Sequence, residues 1–213
     1  MKPRLICIIG PDGTGKTTQA KLLVEKLRKK EVDCDYKWMR FHHFFSLPVL
    51  ALARLMGLSE VKTSKNGRII GYHYFYKSKM ISKLYTGLLF LDTLSFTMMK
   101  VYIPMKLLKK TVVCDRFIHD TLIDLAVSTG DKSVYNSKMG KLFIKLIPED
   151  AKTFMLITDE DVLRERREDV MEDKTLEIKI DLYMRLAQQF KITMMEANLP
   201  IEEIQNTLLR AIE

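Results

Sequence analysis

Cysteine is scarce: Cys7, Cys34 and Cys114 are the only three in 213 residues. An odd, widely spaced set excludes a disulfide framework and fits a reducing compartment. Histidine is nearly as rare, and His42, His43, His73 and His119 match no metal-binding spacing. Between the basic start and Gly10 stand only five apolar residues, Leu5 to Ile9, too few for a signal peptide. The most apolar stretch, Leu84 to Leu108, is broken by Asp92, Lys100, Pro104 and Lys106. No unbroken run of ~18 apolar residues exists, so no membrane span is expected. Repeats, low-complexity tracts and Pro/Gly linkers are missing too. That predicts one domain over 1–213, cytoplasmic.

What is present is charge of one sign in excess. Lys plus Arg is 35 and Asp plus Glu is 27, for a formal net charge of +8. A positive excess asks for anionic partners: nucleic acid, acidic membrane or phosphorylated small molecules. With 47% hydrophobic residues the chain is globular, and at this length it buries a sizeable core.

Hydrophobic periodicity places the elements. Leu5 to Ile9 reads as a buried strand, and Ala20, Leu23, Val24 and Leu27 mark one helix face. Strands are expected at Cys34–Met39, Thr111–Cys114, Thr153–Ile157 and Lys191–Met195. Pro48–Gly57 reads as a helix, Lys62–Gly71 as a loop, and Tyr72–Lys110 as helical, divided at Gly87 and bent at Pro104. Further helices are expected at Ile118–Val127, Tyr135–Ile147, Asp159–Asp169, Leu182–Phe190 and Pro200–Ile212. Strands alternating with helices call for an α/β fold: a five-stranded parallel sheet with helices on both faces.

The strongest motif is Gly10-Pro11-Asp12-Gly13-Thr14-Gly15-Lys16-Thr17, which fits G-x-x-x-x-G-K-[ST] between a strand and a helix. Gly10, Gly13 and Gly15 let backbone N–H groups, with those of Asp12, Thr14 and Thr18, turn inward on phosphate oxygens at a helix N-terminus. Lys16 reaches the donor phosphates, and the Thr17 hydroxyl is placed to ligate Mg²⁺. Val112-Val113-Cys114-Asp115-Arg116 ends a strand in an acid, at the sheet edge where such folds bind ligands. Asp115 is thus the second Mg²⁺ candidate. Arg116 follows it where a hydrolytic enzyme would carry a base. Arginine clamps phosphate and favours transfer over hydrolysis.

These residues carry a resemblance. Gly10 to Gln19, Arg40 in Trp38-Met39-Arg40-Phe41, and Asp115-Arg116-Phe117 resemble the thymidylate kinase family in order and spacing over nearly the whole chain. The resemblance implies a three-layer P-loop kinase fold, ATP as donor with Mg²⁺, and a nucleoside monophosphate as acceptor, dTMP first. It implies Asp12 on the acceptor sugar hydroxyl, Arg40 and Arg116 on the acceptor phosphate, and Lys16 on the donor. It also implies a homodimer, through the apolar helices between Tyr72 and Lys110. Some members carry a further catalytic arginine in the phosphate loop. Positions 11 to 14 hold none here, so a lid around 160–175 would supply it from Arg164, Arg166 or Arg167.

The sequence departs from the family where the base is read. The arginine that follows an aromatic on the central helix is missing from Leu89-Phe90-Leu91-Asp92-Thr93, and Asp124-Leu125 stand where Tyr-Gln would. Phe90 is the remaining candidate platform for a base. Phe41-His42-His43-Phe44-Phe45 either wall a pocket or pack as a corner against methionine-rich helices. Lysine runs at 26–30 and 106–110 read as solvated helix ends. Two other readings stay open: a deoxynucleoside or small-metabolite kinase, which needs a carboxylate base such as Asp12 or Asp120, and a nucleotide-binding module or ATPase on nucleic acid. The motif positions favour small-molecule nucleotides over nucleic acid or membrane.

Overall fold

The computed structural model describes residues 4–40, 42–63, 67, 69–166, 168–171 and 173–212. Five parallel strands form the sheet: β1 (Leu5–Ile9), β2 (Cys34–Trp38), β5 (Thr111–Asp115), β6 (Lys152–Ile157) and β7 (Thr193–Glu196). Their order is β2-β5-β1-β6-β7, with Cys7 opposite Cys114 and Ile9 opposite Met155. Period-two alternation divides β1 between two cores. Leu5, Cys7 and Ile9 face one side and Ile6 and Ile8 the other. On the second side lie α1 (Lys16–Lys29), through the face seen in the sequence, and α10 (Ile201–Ile212), through Ile204, Leu208 and Ile212. The first side is covered by α2 (Leu47–Leu55), α3 (Lys79–Thr97), α5 (Ile118–Thr129), α6 (Lys138–Ile144) and α9 (Leu176–Phe190). This is the doubly covered α/β sheet of a P-loop kinase.

Two expectations change. The loop expected at Lys62–Gly71 is in part a hairpin, β3 (Ser59–Thr63) against β4 (Ile69–His73), separate from the main sheet. Its polar composition and two glycines hid strands too short to show alternation. The second change is in α3. Gly87 does not divide it; the helix runs to Thr97, passes through a π turn, Met98–Tyr102, and restarts as α4 (Ile103–Lys106) with Pro104 in its first turn, as expected. In the π turn the Ile103 N–H reaches back to the Met98 carbonyl, five residues away. The widened turn just before Pro104 relieves the clash a proline ring makes in a regular helix. By length and composition alone the resulting 28-residue helix could cross a membrane, although no unbroken apolar run is present.

That helix is tied into the protein by Asp92. Its fully buried carboxylate accepts from the N–H groups of Phe44, Phe45 and Ser46 at 3.0, 2.7 and 2.9 Å, and from the Ser46 hydroxyl at 2.6 Å. Asp92 thereby pins, from another helix, the turn that leads into α2, satisfying the N–H of its N-cap Ser46 and those of the two residues before it.

Candidate functional site

The phosphate loop turns as its glycines require. Gly10, Gly13 and Gly15 all have positive φ, and a Cβ on Gly10 would stand 2.1 Å from the Leu156 carbonyl oxygen. Lys16, the first residue of α1, is buried. Its ammonium donates to the Pro11 carbonyl and to Thr14 Oγ1. Burial first, and then Arg116, push its pKa from 10.5 to about 7.

Thr17 and Asp115 meet as expected. Thr17 Oγ1 donates to Asp115 Oδ2 at 2.5 Å, and Tyr36 adds a second donor at 2.8 Å. Asp115 Oδ1 is buried and, among the described residues, has no hydrogen-bond partner. A hydroxyl beside a carboxylate with one oxygen to spare fits Mg²⁺, which takes one or two protein oxygens and completes its shell with water and phosphate. Among the described residues no cluster of three His, Cys, Asp or Glu suits another metal.

Beside the loop runs a chain of charged contacts. Asp12 accepts from Arg40 Nη1 at 3.0 Å and from Arg116 Nη2. Arg40 gives Nε and Nη2 to the two oxygens of Asp124, both at 3.0 Å. Arg116 Nη1 donates to Asp120 Oδ1 at 3.1 Å, and the Tyr183 hydroxyl donates to the same oxygen at 2.6 Å. Burial would raise the Asp12 pKa, but Arg116, Arg40 and Lys16 outweigh it and hold the carboxyl well below its usual range. Burial dominates at Asp120, whose pKa is raised. Arg116 itself sits at φ 66°, a left-handed conformation uncommon outside glycine, held by its N–H bond to the Ile8 carbonyl at 2.9 Å.

Asp12, Arg40 and Asp124 open on a cavity of about 810 Å³. His42, His43 and His73 form part of its wall, each with its pKa lowered, chiefly by burial, so these three rings add no charge to it at neutral pH. The pocket reading of His42 and His43 therefore describes them better than the packed corner. Phe44 and Phe45 are exposed, and Phe41 lies outside the described residues. Lys179, paired with Asp173 at 2.8 Å, also lines the cavity. It was invisible in the sequence because it lies far from every motif.

Some expected residues are not brought together. Phe90 does not line the cavity; it packs edge-on against Phe143, ring centres 5.2 Å apart. Helix α3 instead turns Leu89, Thr93, Phe96 and Thr97 to the cavity. Phe90 is one residue off that face, about 100° around the helix. Arg164 and Arg166 lie on α7 (Glu160–Arg166), followed by α8 (Glu168–Met171), and neither lines the cavity. Arg164 binds Glu160 and the carbonyls of Val170 and Met171. Arg166 donates to the Ala197 carbonyl at 3.3 Å and to Asn198 Oδ1 at 2.9 Å. Arg167 lies outside the described residues. Helix α7 does touch the phosphate loop: a Cβ on Gly13 would come within 3.3 Å of the Leu163 side chain.

No protein-family model matches the chain. Two curated proteins are similar over most of it. A probable thymidylate kinase of Methanocaldococcus jannaschii is 26% identical over 208 residues, covering 94% of this chain and 90% of that protein. A thymidylate kinase of Malacoplasma penetrans is 27% identical over 191 residues, covering 89% and 75%. With the strand order and the phosphate loop, these likenesses make the chain thymidylate kinase-like.

Proposed function

We propose that the chain transfers the γ-phosphate of ATP to a nucleoside monophosphate, with dTMP the leading acceptor. One observation carries the reading: two arginines, half-buried Arg40 and buried Arg116, converge on Asp12 within the phosphate loop that carries Lys16. Such an array holds an acceptor phosphate against a donor phosphate, and alignment with charge neutralisation is most of what phosphoryl transfer needs. The acceptor phosphate is its own nucleophile, so no general base is required. Thr17 and Asp115 would hold Mg²⁺, whose charge would help neutralise the donor phosphates. Gly10, Asp12, Gly13, Thr14, Gly15 and Thr18 would supply the loop.

A nucleoside kinase would need a carboxylate that takes up a proton. Asp12, clamped by two arginines with its pKa well below the usual range, is poorly suited. Arg116 in place of a base speaks against an ATPase on nucleic acid. We also place the further catalytic arginine on the lid around 160–175. Among the described residues Arg166 has two hydrogen bonds to give up and Arg164 four, which favours Arg166 as the one that swings. The chain would work in the cytoplasm as a homodimer. The exposed stripe of Met80, Leu84 and Leu91 on α3, continued by Met98 in the π turn, would meet a second copy, with Gly87 between them leaving room for close helix approach.

The test is ADP formation from ATP and Mg²⁺ against nucleoside monophosphates, nucleosides and DNA. Turnover that depends on a monophosphate supports the reading. Turnover stimulated only by a nucleoside or by DNA refutes it.

A further inference from the structure

The positive charge of the chain is not evenly spread. Residues 41–110 hold eleven Lys and Arg against two Asp and Glu, a net +9; the remainder, with 24 against 25, nets −1. Of the two acids Asp92 is buried beneath its four donors, which leaves Glu60 as the exposed one. The same segment shows solvent an apolar face. Helix α2 buries Val49 and Ala53 but exposes Leu47, Ala51, Leu52 and Leu55, and Leu55 is 87% exposed. Its one charged residue, Arg54, is exposed too. In the turn before α2 the rings of Phe44, 70% exposed, and Phe45 stand edge to face, 5.1 Å apart.

Cations stand beside this face. The hairpin packs on α2, and the Tyr74 N–H donates to the Leu58 carbonyl just past the helix end at 2.8 Å. There Lys62 lies over the Tyr72 ring and Lys77 over the Tyr74 ring, at 5.7 and 5.0 Å. Among the described residues neither these lysines nor Arg54 has an acidic partner. Exposed leucine and phenylalanine flanked by lysine and arginine match an anionic bilayer surface, with acyl chains for the one and headgroup phosphates for the other. A nucleic acid would answer the cations but not Leu55 or Phe44. A second copy would answer the leucines, but α2 holds no acid to receive the partner's cations.

We propose that this face docks the protein on an anionic lipid bilayer. Phe44, Leu52 and Leu55 enter the headgroup layer, and Arg54, Lys62 and Lys77 meet lipid phosphates. The protein lies on the bilayer and does not cross it: the 28-residue helix is pinned through Asp92 and gives Leu89, Thr93 and Phe96 to the cavity wall. The docked segment is itself part of that wall. His42, His43 and Leu50 line the cavity, while Phe44, Phe45 and Leu52 among them face solvent. Docking therefore sets the cavity beside the lipid surface. The proposal does not rest on the kinase reading.

The experiment is co-sedimentation of the full chain with vesicles of phosphatidylcholine, alone or mixed with phosphatidylserine, and it needs no turnover. Wild type is compared with Leu55→Glu, Arg54→Glu and Ile201→Glu; Ile201 is an exposed apolar residue on α10, across the sheet from α2. The expected result is wild-type binding to the mixed vesicles and little to phosphatidylcholine alone. L55E and R54E should each bind about tenfold more weakly, and I201E as wild type does. All three side chains are exposed, so thermal midpoints should not move. Wild type that stays in solution with mixed vesicles, or binds both kinds equally, overturns the proposal. So does binding that survives L55E, or that I201E weakens as much. A fall of the solution mass in L55E gives the face to a second copy and overturns it too.

Discussion

Arg40 and Asp124 meet fork to fork, Nε and Nη2 each 3.0 Å from a different carboxylate oxygen. Asp124 occupies the stretch where the resemblance would place a base-reading pair, yet here it grips an arginine. Paired geometry of this kind fixes the guanidinium plane as well as its charge. Asparagine offers one acceptor and turns N–H groups toward the other donor. Asp124→Asn is therefore expected to raise KM for the acceptor about tenfold, with kcat and KM for ATP little changed. Steady-state kinetics with each substrate varied in turn check this.

Lys16 predicts a pH effect. With its pKa lowered to about 7, the lysine is mostly neutral at pH 8 and mostly charged at pH 6. Bound phosphates favour the charged form and raise the pKa. ATP binding is expected to take up close to one proton at pH 8 and almost none near pH 6. Titration calorimetry in buffers of different ionisation enthalpy measures it. Lys16→Ala should remove the uptake and lower ADP formation by about 10²–10³, with an unchanged thermal midpoint.

Asp92 predicts a stability effect without a catalytic partner. Its carboxylate satisfies four donors, at the N-cap of α2 and in the turn that leads into it, while fully buried. Asp92→Ala strands those donors and is expected to cost about 3 kcal/mol in denaturant unfolding. Asp92→Asn, which keeps one acceptor oxygen, should cost less.

The apolar stripe on α3 predicts association. Solution scattering is expected to return twice the chain mass, and Leu91→Glu, which puts a charge in the middle of the stripe, to return a single chain. A wild-type monomer would refute the interface.

What could be read from the sequence follows how the chemistry is spread along it. The phosphate loop is contiguous, so eight residues carry both the pattern and its strand-to-helix setting. Asp115 and Arg116 end a strand whose apolar run is plain. The hairpin was missed because Ser59–Thr63 has one apolar residue, Val61, and Ile69–His73 is interrupted by Gly71, so neither strand shows a clear apolar run. Phe90 went to the wrong face because periodicity gives a helix its apolar sides without saying which of two buried sides meets a ligand; Leu89, its neighbour, faces the cavity. The roles of Asp92 and Asp124 depend on partners 46 to 48 and 84 residues away, a distance over which spacing carries no information.

Asp12 stands between Arg40 and Arg116 with a share of each. On the proposed function, an acceptor phosphate would not enter bare positive potential; it would trade places with a carboxylate that needs only to turn aside. Such an exchange leaves the local charge nearly constant, so acceptor affinity should depend only shallowly on ionic strength. It also gives the reaction a way to end, because the same carboxylate returns to its arginines and competes with the product for them.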